Sequence, residues 1–188
     1  MRALILLPLV AMLSLPAFAK DALIDMQNAR SGGYGGPLVK YGQLGDETAI
    51  MLGGEGAGTF TTGVHSLLIG GAGYGLINEP EWGNGQTLDM GYGGLLIGYT
   101  HRPDAVVHVE TKLLLGAGSV SLSDGTDEDN GSFLASEVSV GAEVNLTDFL
   151  EVGIGGAYRL TTDPDLDGVS DDDLSGASVV LSFQFGQI

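Results

Sequence analysis

AIMLGGEGAGTFTTGVHSLLIGGAGYGLIN, residues Ala49 to Asn78, is the stretch whose reading decides the fold. Two runs rich in apolar residues and glycine flank a short polar break, Thr59 to Ser66, which reads as a turn. Each run is close to the length of a strand that crosses a bilayer, about 9–11 residues. The first run holds Gly53, Gly54, Gly56 and Gly58, and the second Gly70, Gly71, Gly73 and Gly75. Inside an ordinary sheet such residues weaken a strand, because glycine costs entropy and brings no side chain to pack. They suit strands that bend sharply, or that let a neighbouring backbone or ring come close, as in a small closed barrel. The stretch predicts one hairpin of a β-barrel.

The rest of the chain repeats that hairpin. Eight strands are expected, at about 36–44, 48–59, 66–78, 87–100, 106–121, 133–146, 149–162 and 176–187. Period-2 alternation supports them. In the sixth, Leu134, Val138, Val140, Ala142, Val144 and Leu146 oppose Ala135, Glu137, Ser139, Gly141, Glu143 and Asn145. The fifth, seventh and eighth alternate in the same way. The fourth does not do so cleanly, and a bulge is expected near Gly93-Gly94. Connections alternate between tight ones, such as Thr147-Asp148, and longer acidic ones, Glu79 to Gln86, Leu122 to Ser132 and Asp163 to Ser175. An even strand count with short periplasmic turns and longer outside loops is the rhythm of an outer-membrane barrel. The expected fold is an all-β, eight-stranded antiparallel up-and-down membrane barrel, with both ends of the mature chain in the periplasm. A secreted soluble β-sandwich or ligand-binding barrel is the alternative that alternation alone leaves open.

Composition agrees with this address. Residues 1–19 read as a signal peptide: Arg2, an apolar run from Ala3 to Leu15, and Ala17-Phe18-Ala19 before Lys20. Residues 20–188 then form one domain, with 20–31 a short periplasmic lead segment. The absence of cysteine removes disulfides and thiolate metal sites. The whole chain carries a formal charge of −17, and loss of Arg2 with the leader makes it −18. That acidity excludes nucleic acid as a partner. The expected partners are outer-membrane lipid and, during biogenesis, the barrel-assembly machinery, around a monomer whose surface ligand is unknown.

Mid-strand charges on the polar faces point inward by parity: Lys40, Glu55, Glu110, Lys112, Glu137, Glu143 and Arg159, with His108 nearby. An eight-stranded barrel has an interior just wide enough for side chains to fill. Charges buried there must pair, because an unpaired buried ion is very costly. The seven are expected to form a structural charge network in a filled lumen, and a narrow ion path is the functional alternative.

Three blocks, Gly32-Gly33-Tyr34-Gly35-Gly36-Pro37-Leu38-Val39-Lys40-Tyr41, Leu52-Gly53-Gly54-Glu55-Gly56 and Ile69-Gly70-Gly71-Ala72-Gly73-Tyr74-Gly75-Leu76, carry a resemblance. With Asp173-Leu174-Ser175-Gly176 and Phe185-Gly186, they resemble a family of small, largely uncharacterised exported bacterial proteins held to be outer-membrane β-barrels. The resemblance implies fold and address, and brings no catalytic residues. Glu55 stands where it implies a basic residue, and Ile188, not an aromatic residue, closes the chain.

Motifs for chemistry are few. No G-x-G-x-x-G or P-loop pattern is intact, and none of His65, His101 and His108 has zinc-hydrolase spacing. A lipid-modifying enzyme would need a serine or other nucleophile beside a histidine at the outer rim, and all three histidines fall toward the short turns. No enzyme activity and no cofactor are expected. The segment Asp163-Pro-Asp165-Leu-Asp167-Gly168-Val-Ser-Asp171 places oxygen ligands at alternate positions with glycine sixth, like the first half of a calcium loop. Leu174 stands where a bidentate glutamate would close it. Asp163, Asp165, Asp167 and Asp171 are therefore expected to hold at most a weak Ca²⁺ or Mg²⁺, or else to form a solvated acidic rim.

Overall fold

The computed structural model describes residues 29–187. The leader, the lead segment through residue 28 and Ile188 lie outside them. Eight long strands close into a ring: β1 (Arg30–Leu44), β2 (Glu47–Thr62), β3 (His65–Leu76), β5 (Gln86–His101), β6 (Val107–Ser123), β7 (Glu128–Thr147), β8 (Leu150–Thr161) and β9 (Gly176–Gln187). A two-residue strand, β4 (Glu81–Trp82), pairs with the start of β5 inside the third connection. A four-residue helix, α1 (Asp171–Leu174), sits in the last one. All pairings between neighbours are antiparallel, and the β1–β9 and β3–β5 pairs complete the circle. Closure gives each of the eight long strands a partner on both sides, which is what makes such a sheet tolerable in lipid.

The two faces of each strand meet different surroundings. Leu134, Val138, Val140, Ile154, Tyr158, Leu160, Val179 and Leu181 stand exposed on the outer wall. Glu137, Glu143, Arg159, Ser182 and Gln184, which alternate with them, are buried inside. Apolar residues turned outward and charges turned inward invert the arrangement of a water-soluble core, and this inversion is the mark of a lipid-facing barrel.

One end carries tight connections, at Gly63-Val64, at Arg102 to Val106 and at Asp148-Phe149. The other carries Gly45-Asp46 and the three longer segments. Gly45 (φ 54°) and Gly63 (φ 59°) take the first central position of two-residue hairpins, where positive φ lets the turn follow the strand twist. The turn after β2 is therefore shorter than the polar break Thr59 to Ser66 suggests, because both flanking strands run through Thr62 and from His65.

Two further expectations are corrected. Strand β1 begins at Arg30, so the end of the lead segment belongs to the barrel. Its Gly32 to Gly36 stretch pairs in register with Glu55 to Thr59 but shows no alternation to read. Strand β5 has no bulge at Gly93-Gly94: its pairing with β3 and β6 is continuous, and Gly94 takes an inward position between Tyr92 and Leu96. The register shift lies between Asn145 and Thr147. There the Asn145 amide donates to the Pro103 and Ala105 carbonyls of the facing turn, at 2.9 and 2.8 Å.

Candidate functional site

The interior is the site that the fold builds most deliberately. Six of the seven expected lumen charges are buried, and the side chain of Lys112 is 11% exposed. They sort into two networks that tie opposite walls. Toward the loop end, Lys40 of β1 pairs with Glu137 of β7 and donates to the Tyr92 hydroxyl at 3.0 Å. Tyr92 in turn donates to Glu137 Oε2 at 2.6 Å. The Lys40 ammonium lies 3.4 Å from the Tyr74 ring centre, a cation–π contact that offsets part of its lost hydration. Arg159 sits 5.1 Å from the Tyr92 ring centre and donates through Nε to the Leu174 carbonyl at 2.7 Å.

The second network lies toward the turn end. Lys112 Nζ bridges Glu55 at 2.5 Å and Glu110 at 2.7 Å. Tyr34 donates to Glu55, Thr100 donates to Glu110 Oε2 at 3.1 Å, and Gln184 Nε2 donates to Glu110 Oε1 at 3.2 Å. Glu55 thus pairs with Lys112 of the far wall, and Lys40 with Glu137. Glu143 makes no ion pair among the described residues, and the Ser182 hydroxyl lies 3.4 Å from each of its oxygens.

Sequence reasoning missed several members. Tyr34 and Tyr92 supply hydroxyls, Tyr74 a ring face, and Gln184 a neutral amide. Each lay on the inward parity, but charge was the signal being sought. Glu151 of β8 is buried as well. It faces His108, Nε2 to Oε2 3.7 Å, while His108 Nδ1 donates to the Ala105 carbonyl at 3.2 Å.

Between the two networks lies a cavity of about 30 Å³, lined by Lys40, Glu55, Glu110, Lys112, Glu137 and Glu143, room for a water or two. A larger one of about 460 Å³ opens at the turn end, among Arg30, Asp104, Asn145, Phe149 and Glu151. The loop end is sealed by apolar packing: Leu174, with no exposed surface, and Val169 join Leu44, Met51, Leu88 and Met90 in one buried cluster. The acidic segment thus folds over the mouth through Val169 and Leu174, with Asp163, Asp165, Asp167 and Asp171 exposed. Ser170 and Asp173 form a capping box on α1, the Gly45 amide donates to the Asp173 carbonyl at 2.8 Å, and Trp82 Nε1 donates to Gly168 O at 3.0 Å.

The four aspartates proposed for a cation are not drawn together. Asp163 accepts from the Asp165 amide at 2.9 Å, and among the described residues no group of three or more His, Asp or Glu is arranged to hold a metal. In the neighbouring loop, Asp124 accepts from the Thr126 and Asp127 amides and from the Thr126 hydroxyl. Led by the Asp127 amide, those bonds hold its carboxyl down to about 2.

The histidines lie at the turn end, His65 and His101 on the outer wall and His108 inside. Among the described residues none of them hydrogen-bonds a serine, so no nucleophile–base pair is assembled.

No family model matches the chain, and no curated protein does. Solved structures are similar in fold. Neisserial surface protein A shares 12% identity at a TM-score of 0.56, over 85% of this chain and 97% of that one. Ail, the attachment invasion locus protein of Yersinia pestis, shares 14% at 0.54, over 83% of this chain and 97% of that one. Ail in complex with the heparin analogue sucrose octasulfate gives 14% at 0.53, over 84% and 98%. Both proteins are eight-stranded outer-membrane barrels, and at such identities the likeness is one of fold. The glycine-block family remains a resemblance in sequence, and the chain has the fold of an eight-stranded outer-membrane β-barrel.

Proposed function

We propose that this chain is a small, monomeric outer-membrane barrel with a structural or surface-interaction role, acting through its loop-bearing end and not through its lumen. The observation that carries the reading is the filled interior. Among the described residues, cross-wall ion networks fill the middle of the lumen and an apolar plug closes the loop end, which supports work at the lipid-facing wall and the loops. The exposed Leu, Val and Ile of that wall make outer-membrane lipid its first partner, reached through the barrel-assembly machinery.

The loops give the surface its selectivity. Asp46 and Glu47 lie in or beside the first loop-end turn, Glu79, Glu81 and Asp89 the second connection, Asp124, Asp127, Glu128 and Asp129 the third, and six aspartates from Asp163 to Asp173 the fourth. No lysine or arginine falls in these connections. A surface of one sign draws partners of the other and rejects its own. The partner class is therefore cationic, in contrast to the polyanion that accompanies Ail.

Two measurements on the purified barrel in lipid vesicles test this. Planar bilayers should show no steady conductance, and polylysine should bind in a salt-dependent way while sucrose octasulfate does not. Steady unitary channels, or octasulfate binding as strong as polylysine binding, would overturn the proposal.

A further inference from the structure

On the outer wall at the turn end, three side chains meet that neither the lumen nor the loop surface uses. His65 opens β3 and His101 closes β5, and the two are direct register partners. Tyr99 precedes His101 by two residues and so shares its face. Its hydroxyl lies 2.6 Å from His65 Nδ1 and 3.3 Å from His101 Nδ1. A phenol has one proton: it donates to one ring and must receive from the other. Two imidazole nitrogens are thus held on a single oxygen.

We propose that His65 and His101, with Tyr99 as a neighbouring oxygen, form a binding site for a divalent transition-metal ion, Cu²⁺ before Zn²⁺. The ring centres are 5.9 Å apart with planes at 52°. Two imidazoles bound to one ion through metal–nitrogen bonds of about 2.0–2.1 Å bring their ring centres to roughly 5–6 Å. The rings therefore need only turn, not travel. His101 is exposed and His65 half-buried, and both stand beside the short connections at the turn end. Thr62, the register partner of His65 on its other side, has a covered hydroxyl without a hydrogen-bond partner among the described residues, a further oxygen in the same row.

Two nitrogens and a phenol oxygen suit Cu²⁺, Ni²⁺ and Zn²⁺, not Ca²⁺ or Mg²⁺, and the order of intrinsic affinity places Cu²⁺ first. Aromatic side chains at a barrel rim also serve as interface anchors. An anchor explains Tyr99 alone; it does not require two Nδ1 atoms to converge on its oxygen.

The test uses the untagged barrel in detergent, with excess Ca²⁺ present to compete for carboxylates. Calorimetry should show one Cu²⁺ per chain, bound more tightly than Zn²⁺. Electron paramagnetic resonance at one equivalent should show superhyperfine splitting from two nitrogens. His65→Gln and His101→Gln should each weaken binding by more than the about 10–100-fold that a mere outer-shell partner is worth, and Tyr99→Phe should keep the two-nitrogen spectrum. Heat-dependent gel mobility reports whether each variant is folded. If a variant does not fold, the nitrogen count of the unaltered protein decides by itself. Absence of binding, fewer than two nitrogens, or undiminished binding by the folded His65→Gln/His101→Gln double variant would each overturn the site.

Discussion

At the scale of single residues, Lys40 shows what holds the lumen. Its ammonium is 3% exposed and is satisfied by a carboxylate, a phenol and an aromatic face supplied by three other strands. Removing one member of a buried pair leaves the other charged and unsolvated, which costs about 3–5 kcal/mol, whereas removing both can be nearly neutral. Lys40→Met is therefore expected to lower the unfolding free energy by about 3–5 kcal/mol, measured by urea titration of the barrel in vesicles. Lys40→Met/Glu137→Gln should recover much of that loss. If the double variant is as unstable as the sum of the single ones, the two residues do not act as a pair.

At the scale of the strand, glycine plays two parts that sequence cannot separate. A Cβ on inward Gly36 would lie 1.8 Å from the Phe183 carbonyl oxygen of β9, so the two strands can close the ring there only if no side chain intervenes. A Cβ on outward Gly75 would meet nothing within 4 Å. Gly36→Ala is expected to abolish folding into vesicles, seen as loss of the heat-modifiable band. Gly75→Ala should fold and gain about 0.4–1 kcal/mol, because alanine has less unfolded-state freedom to lose. Equal behaviour of the two variants would contradict this division of roles.

At the scale of the whole molecule, the closing β8–β9 connection converts an open cylinder into a sealed one. Leu174 has no exposed surface, and its carbonyl accepts from Arg159. Seating the lid and ordering the upper ion network are thus one event. Leu174→Ala should destabilise by about 2–5 kcal/mol, as for other buried leucines. Leu174→Asp should unseat the segment, so that protease cleaves within residues 162–175 while the strands remain protected. Resistance equal to that of the unaltered protein would show that the lid is held by other contacts.

Sequence alone determined the strands, their facing and the two unlike ends, because alternation is a property of each strand by itself. The parity that put Glu137 and Arg159 inside and Leu134 and Leu160 outside needs no knowledge of neighbours. Tertiary structure decided which buried charges meet. Lys40 reaches Glu137 across 97 positions and Lys112 reaches Glu55 across 57, pairings set by the stagger of eight strands around a closed ring. The same holds for His65, which meets Tyr99 and His101 only through the register of β3 on β5. Helix α1 escaped notice because a single turn has no period to read, although Ser170 and Asp173 carry the spacing of its cap. In the acidic loop Asp163, Asp165, Asp167 and Asp171 stay exposed, while Val169 and Leu174, which no periodicity marks as core, turn inward. Which way that leucine points is decided by the apolar mouth beneath it.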